Sequence, residues 1–231
     1  MSESLARRAL AELVGTAFLV AAVIGSGIAA VRLSPNDPAL QLLVNSLITG
    51  GALLALILAL QPLSAAFNPI VTLLERALHE ISSREAAVLI AAQTAGGIVG
   101  AVVANLMFNL SAINLSTHHR GGSGVLLGEV VATLGLLVVI FGTVRNGRPD
   151  RVAFAVGGYI VAAYWFTNST SFANPAVTIA RMFSNSFAGI APSSVAPFIF
   201  MQLVGAILGY ALIRCLYPSS PVMAAEAFAR P

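Results

Sequence analysis

The stretches FNPIVT (67–72) and ANPAVT (173–178) repeat one Asn-Pro-x-Val-Thr pattern 106 residues apart (174 − 68). Asparagine is a preferred N-cap, and proline is preferred at the first helical position, where its missing N–H leaves nothing unsatisfied. Each stretch therefore predicts the start of a short helix. One copy would be an ordinary helix cap in a loop, whereas two copies require an explanation from the organisation of the whole chain.

The composition is that of a polytopic membrane protein. Of 231 residues, 58% are hydrophobic and 9% are charged, against about a quarter charged in a soluble domain. The net charge of +3 comes from arginines without any lysine, and it is too sparse for a nucleic-acid surface, so we expect no nucleic-acid partner. The single Cys215 excludes an intrachain disulfide and a cysteine-rich metal site. We expect no cofactor and no metal.

Six apolar segments are long enough to cross a bilayer at about 1.5 Å per residue, the fifth only marginally. They lie at 9–31, 38–60, 85–108, 125–144, 152–167 and 195–217. The first is too long for the core of a cleaved signal peptide and is interrupted by Glu12, so we interpret it as a transmembrane helix. The segments 61–84 and 168–194 are apolar but too short to span, and each is broken by Asn-Pro.

The arginines predict the orientation. With the N-terminus inside, the cytoplasmic side carries Arg7, Arg8, Arg76, Arg84, Arg145, Arg148, Arg151, Arg214 and Arg230. The outer side then carries Arg32, Arg120 and Arg181. By the positive-inside rule, this distribution predicts a multi-pass protein of the cell (inner) membrane with both termini cytoplasmic.

The chain is also an internal duplication. AELVGT (11–16) matches GEVVAT (128–133), which pairs Glu12 with Glu129. One offset of 109 residues relates Gln93, Gly96 and Gly100 to Gln202, Gly205 and Gly209. We interpret these glycines as helix-packing positions.

Each repeat, about 1–115 and 123–231, holds three spans, and this odd number makes the two halves cross the membrane in opposite senses. Inverted repeats place a solute site near the bilayer midplane, at broken helices. The two half-helices then meet there with their N-termini, their unpaired N–H groups and the amides of Asn68 and Asn174. Such a site repels cations and offers hydrogen bonds to neutral, hydroxylated solutes.

These features together resemble the major intrinsic protein family, the aquaporins and aquaglyceroporins. The resemblance implies an all-α membrane fold of six transmembrane helices and two re-entrant half-helices, with a single channel domain over 1–231. It also implies a right-handed bundle with one pore per protomer, assembled as a homotetramer in the lipid bilayer. The pore motifs are Asn68, Pro69, Ile70, Asn174, Pro175 and Ala176. We expect no enzymatic activity, because the sequence contains no catalytic constellation.

Two intramembrane carboxylates, Glu12 and Glu129, have two interpretations. Such groups are functional candidates by default, for example as a proton relay. The resemblance instead implies that each accepts hydrogen bonds from the irregular backbone before a half-helix, since backbone at membrane depth needs partners. We favour this bracing role.

The resemblance implies a selectivity filter that departs from the family pattern. Counting from the motifs assigns it to Thr49, Ala162 (or its neighbour Ala163), Ser171 and Val177, where the family commonly has an aromatic, a histidine and an arginine. The constriction would be wide and uncharged, which favours neutral solutes larger than water.

The stretch AYWFTNSTSFANPAVTIAR (163–181) is similar to bacterial aquaglyceroporins associated with arsenic resistance. That resemblance implies passage of arsenite as As(OH)3, antimonite and methylated arsenicals, together with glycerol and some water. Arg181 lies one turn beyond Val177 and either charges the outer vestibule or snorkels to the membrane interface. The alternatives are a plain water or glycerol facilitator and a secondary transporter with inverted repeats.

Position 70 is Ile where the second motif has Ala176. In the family this alanine packs against the opposite Asn-Pro. The larger side chain must either shift the junction of the half-helices or fill a space elsewhere, and the small Ala65 and Ala66 nearby make it tolerable.

Overall fold

A computed structural model describes residues 3–218. The helices are α1 Leu5–Leu33, α2 Pro38–Leu60, α3 Pro69–Ala77, α4 Ser83–Met107, α5 Ser123–Arg145, α6 Val152–Phe166, α7 Pro175–Arg181 and α8 Pro192–Leu216. A 3-10 turn, Pro149–Arg151, precedes α6. No strand occurs among the described residues, apart from an isolated bridge between Asn114 and Ser184.

Six helices correspond to the six predicted spans. Five of them, α1, α2, α4, α5 and α8, are long and apolar enough to cross a membrane. The sixth, α6, has 15 residues and reaches only about 22 Å, as expected for the marginal fifth segment. The predicted all-α fold is confirmed, and the chain is an integral membrane protein.

The observed helices begin up to four residues earlier than the apolar segments. In α1 the Ser4 side chain accepts from the backbone N–H of Arg7, and in α4 Ser82 forms a capping box with Glu85. The first turns therefore hold polar residues that carry no apolar signal. Arg8 and Glu85 join the starts of these two helices through an ion pair of 2.8 Å.

Paired helices pack through the predicted glycines. In α4, Gly96 and Gly100 lie directly against the backbone carbonyls of Leu13 and Ala17 in α1. In α8, a Cβ on Gly205 would lie 2.7 Å from the Val130 carbonyl oxygen of α5. Both pairs, α1 with α4 and α5 with α8, therefore approach to backbone contact, in equivalent places of the two repeats.

The half-helices α3 and α7 lie inside this frame of long helices. They have nine and seven residues, so neither could span a bilayer, and both carry proline at the first helical position after an asparagine cap. They contact each other as well as α4 and α8. This arrangement brings the two Asn-Pro motifs together in the interior.

Two hydrogen bonds between connecting segments indicate which parts of the chain lie at the same end of the helix bundle. Gln61 after α2 donates to the Pro149 carbonyl before α6 at 2.9 Å, which places these two connections at one end of the bundle. Arg120 donates to the Gly189 carbonyl at 2.9 Å at the other end. Arg230 lies outside the described residues.

Candidate pore and constriction

The two asparagine amides are linked reciprocally across the junction of α3 and α7. Asn68 Nδ2 donates to the Ala173 carbonyl at 2.8 Å, and Asn174 Nδ2 donates to the Phe67 carbonyl at 2.7 Å. Each side-chain oxygen accepts from the first turn of its own half-helix. Asn68 Oδ1 accepts from the N–H of Ile70 at 2.9 Å, and Asn174 Oδ1 accepts from the N–H of Ala176 at 3.0 Å. A carboxamide has two N–H donors, so one donor of each amide is left for another acceptor.

The backbone before each asparagine is left-handed. Phe67 has a φ of 48° and Ala173 a φ of 47°, a conformation that costs about 1–3 kcal/mol for a residue with a side chain. It aims the N–H groups of both residues at buried carboxylates. Phe67 donates to Glu12 at 2.7 Å, and Ala173 donates to Glu129 at 3.0 Å. The preceding residues, Ala66 and Phe172, donate to the same carboxylates at 2.9 Å each.

Two glutamines complete this network, and their part in it was missed by the sequence reasoning. Gln93 Nε2 donates to Glu12 at 2.8 Å and to the Thr72 hydroxyl at 2.9 Å. Gln202 Nε2 donates to Glu129 at 2.7 Å and to the hydroxyl of Thr178 in α7 at 2.9 Å. The repeat offset contained this signal, because it paired the glutamines as well as the glycines. Each carboxylate is thus held between a half-helix and the long helix behind it.

Ile70 fills a space and does not distort the junction. Its side chain is fully buried and packs with Leu74, Leu137, Phe141 and Ile213. The two cross-junction bonds differ by only 0.1 Å, from 2.8 to 2.7 Å. The sequence left two possibilities open, a shifted junction or a filled space. The structure shows the filled space, with the Ile70 side chain directed toward α5 and α8.

A cavity of about 330 Å³ runs along the half-helices and passes both asparagines. Its lining residues extend from Arg8, Gln61 and Glu75 at one end to Arg181 at the other. One wall is aliphatic and consists of Leu19, Val23, Leu53, Ile57, Val156 and Ile160.

Thr49, Ser171 and Val177, which the sequence predicts for the filter, line the cavity, and Tyr164 lines it as well. These four residues are called the outer constriction below. Thr49 Oγ1 lies 3.1 Å from the Tyr164 hydroxyl and donates to the Asn45 carbonyl at 2.8 Å. Because a threonine hydroxyl has one proton, Tyr164 is the donor to Thr49.

The assignment of Ala162 to the filter was wrong. Ala162 is exposed on the outer surface of α6, and neither it nor Ala163 lines the cavity. Residues two apart on a helix point about 200° apart, so a count that is off by two exchanges the pore face for the lipid face. The count ran back through a loop that contains left-handed residues at Thr170 and Ser171, and sequence does not predict that conformation.

Arg181 is buried and lines the cavity, so the snorkelling interpretation is wrong. Its side chain is 1% exposed. The guanidinium carbon lies 3.4 Å from the ring centroid of Phe172, and Nε donates to the Ala188 carbonyl. A charge at this depth is costly unless polar or aromatic groups hold it, and both kinds are present here.

Comparison with known proteins agrees with this geometry. The family described as Major intrinsic protein matches residues 1–157 and 146–230. The chain belongs to the major intrinsic protein family. It is therefore a membrane channel for small solutes and not an enzyme.

Two curated relatives support the membership. Aquaglyceroporin AqpS of Rhizobium meliloti (strain 1021) is 45% identical over 221 residues, covering 95% of this chain and 94% of the relative. Aquaporin A of Dictyostelium discoideum is 32% identical over 219 residues, covering 89% and 76% of the two chains.

The crystal structure of the aquaglyceroporin from Plasmodium falciparum has the same fold as this major intrinsic protein. The TM-score is 0.69 at 20% identity, over 98% of this chain and all of the other. At this identity the similarity concerns the fold and not the solute.

Proposed function

We propose that this channel conducts small neutral hydroxylated solutes larger than water, down their gradients. The proposed solutes are glycerol and As(OH)3, together with antimonite, methylated arsenicals and some water. The proposal is supported by the identity to a relative named an aquaglyceroporin and by the residues of the outer constriction. A plain water or glycerol facilitator and a secondary transporter are the alternatives.

The observation that carries the proposal is the position of Val177. It directly follows Asn174, Pro175 and Ala176, is buried, and lines the same cavity as Thr49. A valine there brings neither charge nor a long side chain into the passage. The width is then limited by the methyl groups of Val177, the hydroxyls of Thr49 and Ser171 and the Tyr164 phenol, which favours solutes of glycerol size.

The cavity wall has the two-sided chemistry that a polyol or a metalloid hydroxide needs. The aliphatic side of the cavity contacts C–H groups or the arsenic atom. The polar side offers the second N–H of Asn68 and Asn174 and the hydroxyl of Ser171. The Ser171 Oγ has no hydrogen-bond partner among the described residues, so it is available to pair with a solute or water in the cavity.

Stopped-flow light scattering on proteoliposomes tests the proposal with a panel of water, glycerol, urea and arsenite. We expect glycerol and arsenite to pass with a weak temperature dependence and without coupling to a proton or sodium gradient. Passage of water and glycerol alone would favour the plain facilitator. Uphill arsenite movement driven by an ion gradient would favour the transporter.

We further propose that Glu12 and Glu129 bind no transported proton or ion and instead brace the half-helices. Both carboxylates are fully buried and are occupied by backbone and glutamine donors. This occupancy leaves little capacity to bind a transported ion.

Membrane orientation and assembly are also part of the proposal. The chain would lie in the cell membrane with both termini cytoplasmic, as a homotetramer. Cys215 is exposed near the end of α8 and is the single cysteine of the chain. A membrane-impermeant maleimide should label it in intact cells only after permeabilisation, and light scattering of the purified protein should give the mass of four chains.

A further inference from the structure

We infer that Arg181 supplies the positive charge of the outer constriction, one helical turn beyond Val177. In this chain the width and the charge of the constriction then depend on two different residues. Val177 leaves the passage wide, while Arg181 makes it unfavourable for cations and protons. The inference rests on the proposed pore but concerns ions and not the choice of neutral solute.

The charge of Arg181 is held without being neutralised. Among residues 3–218, the ion pairs join Arg7 to Glu3, Arg8 to Glu85 and Arg151 to Asp150, and none of them includes Arg181. The oxygens of the buried Glu129 accept from two backbone N–H groups and from Gln202. The guanidinium is instead fixed by the Phe172 ring and the Ala188 carbonyl, which leaves its field directed into the cavity that it lines.

Tyr164 connects this charge to the width of the passage. Its hydroxyl proton goes to Thr49, as argued above, so the phenol oxygen is left to accept from a donor in the pore. Tyr164 and Arg181 are both buried and line the same cavity. A solute that enters the outer constriction therefore passes the guanidinium.

Arg120 provides a matched control within the same protein. Its guanidinium carbon lies 5.1 Å from the centroid of the same Phe172 ring. It donates to the carbonyls of Gly189 and Phe187 at 2.9 and 3.1 Å, close in sequence to the carbonyl that Arg181 uses. Arg120 does not line the cavity. If an arginine on this ring had only a structural role, replacing Arg120 should therefore have the same effect as replacing Arg181.

The test compares Arg181→Gln, Arg181→Lys and Arg120→Gln in proteoliposomes. Proton influx is followed with an internal pH dye under a clamped potential, and cation current is recorded in planar bilayers. We expect Arg181→Gln to raise cation or proton permeability by about tenfold or more, the factor that corresponds to roughly 1.4 kcal/mol of barrier. Arg181→Lys and Arg120→Gln should stay as tight as the wild type.

Glycerol and arsenite flux are measured on the same vesicles. A wild type that excludes arsenite would contradict the proposed function without changing the comparison of ion leaks. An assembled Arg181→Gln channel that remains tight to ions would overturn the inference. An equal leak from Arg120→Gln would also overturn it, since the effect would then be structural.

A second variant applies if Arg181→Gln does not assemble. Val177→Asp places a carboxylate four residues before Arg181, the spacing at which helical ion pairs form. If the guanidinium faces the pore, the new carboxylate neutralises it, and the assembled variant should leak cations as expected for Arg181→Gln. A Val177→Asp channel that stays as tight to cations as the wild type would contradict the assigned position of the charge.

Discussion

Thr49 in α2 and Tyr164 in α6 meet on the cavity wall, with 3.1 Å between their hydroxyl oxygens. The two residues are 115 positions apart in the chain and belong to different repeats. Their contact narrows the outer constriction with two hydroxyl groups, where a larger aromatic or a charged side chain would exclude more.

Removing the tyrosine hydroxyl should widen the passage. In Tyr164→Phe the donor to Thr49 is lost and one oxygen atom leaves the cavity wall, so we expect glycerol flux to rise about twofold or more, with water less affected. This follows because larger solutes lose more to a narrow site. Tyr159→Phe is the control, since Tyr159 lies in the same helix and donates to the Ala132 carbonyl away from the cavity. Similar changes in both variants would indicate an effect on helix packing.

A bulky residue at position 49 should act in the opposite direction. We expect Thr49→Phe to reduce glycerol and arsenite flux more than water flux, because Thr49 is buried on the cavity wall. Ile48→Phe adds the same ring to a neighbouring position that is 48% exposed, so its flux should equal that of the wild type. Equal losses of all three solutes in Thr49→Phe would point to misfolding, and stopped-flow measurements with quantified protein distinguish these cases.

An arginine after the second motif should turn the pore toward water. Val177→Arg places a long guanidinium, with five donors and a full charge, in the cavity that Thr49 also lines. We expect most arsenite and glycerol flux to be lost while a large share of water permeability remains. The spacing of four residues from Arg181 adds a like-charge pair, but the new guanidinium faces the pore and not lipid, so the yield of assembled protein should be little changed. Val177→Leu controls for size, and a Val177→Arg channel that conducts glycerol normally would remove Val177 from the narrowest point.

Neutralising either carboxylate should weaken the half-helices without uncovering a proton pathway. Glu12→Gln keeps the size of the side chain but turns one acceptor oxygen into a donor that faces backbone N–H groups, which should cost about 1–3 kcal/mol. We expect a lower melting temperature and reduced solute flux. Glu129→Gln should behave alike because its contacts are equivalent, as a parallel thermal-shift and flux series would show. Loss of a proton-coupled flux with unchanged stability would instead support the relay.

The isoleucine of the first motif should matter for stability and not for selectivity. Ile70→Ala leaves a space among Leu74, Leu137 and Ile213, and large-to-small substitutions in such clusters cost about 2–5 kcal/mol. Ile70 does not line the cavity, so the ratio of glycerol to water flux should stay that of the wild type. Thermal unfolding in detergent measures the first effect and stopped-flow the second. A changed flux ratio would show that the packing of Ile70 reaches the pore.

Much of the architecture was predictable because its causes are local or repeat along the chain. Apolar length predicts the spans, and the helix-capping chemistry of Asn68-Pro69 and Asn174-Pro175 predicts two half-helices. The repeat offset paired Glu12 with Glu129, and their partners could be anticipated because irregular backbone inside a membrane must find acceptors. These predictions need no knowledge of how any helix is rotated about its axis.

The rest depended on rotation and loop conformation, which only the packed structure determines. Whether Ala162 or Tyr164 faces the cavity follows from the contact of α6 with α2 and from left-handed loop residues that no local propensity requires. The burial of Arg181 depends on how the loops before and after α7 place Phe172 and Ala188 against it. The direction of Ile70 depends on a space between α5 and α8. The sequence alone therefore determined which groups are available at the midplane, and tertiary packing decided which side chains line the pore, because a helix presents its faces according to the neighbours that bury them.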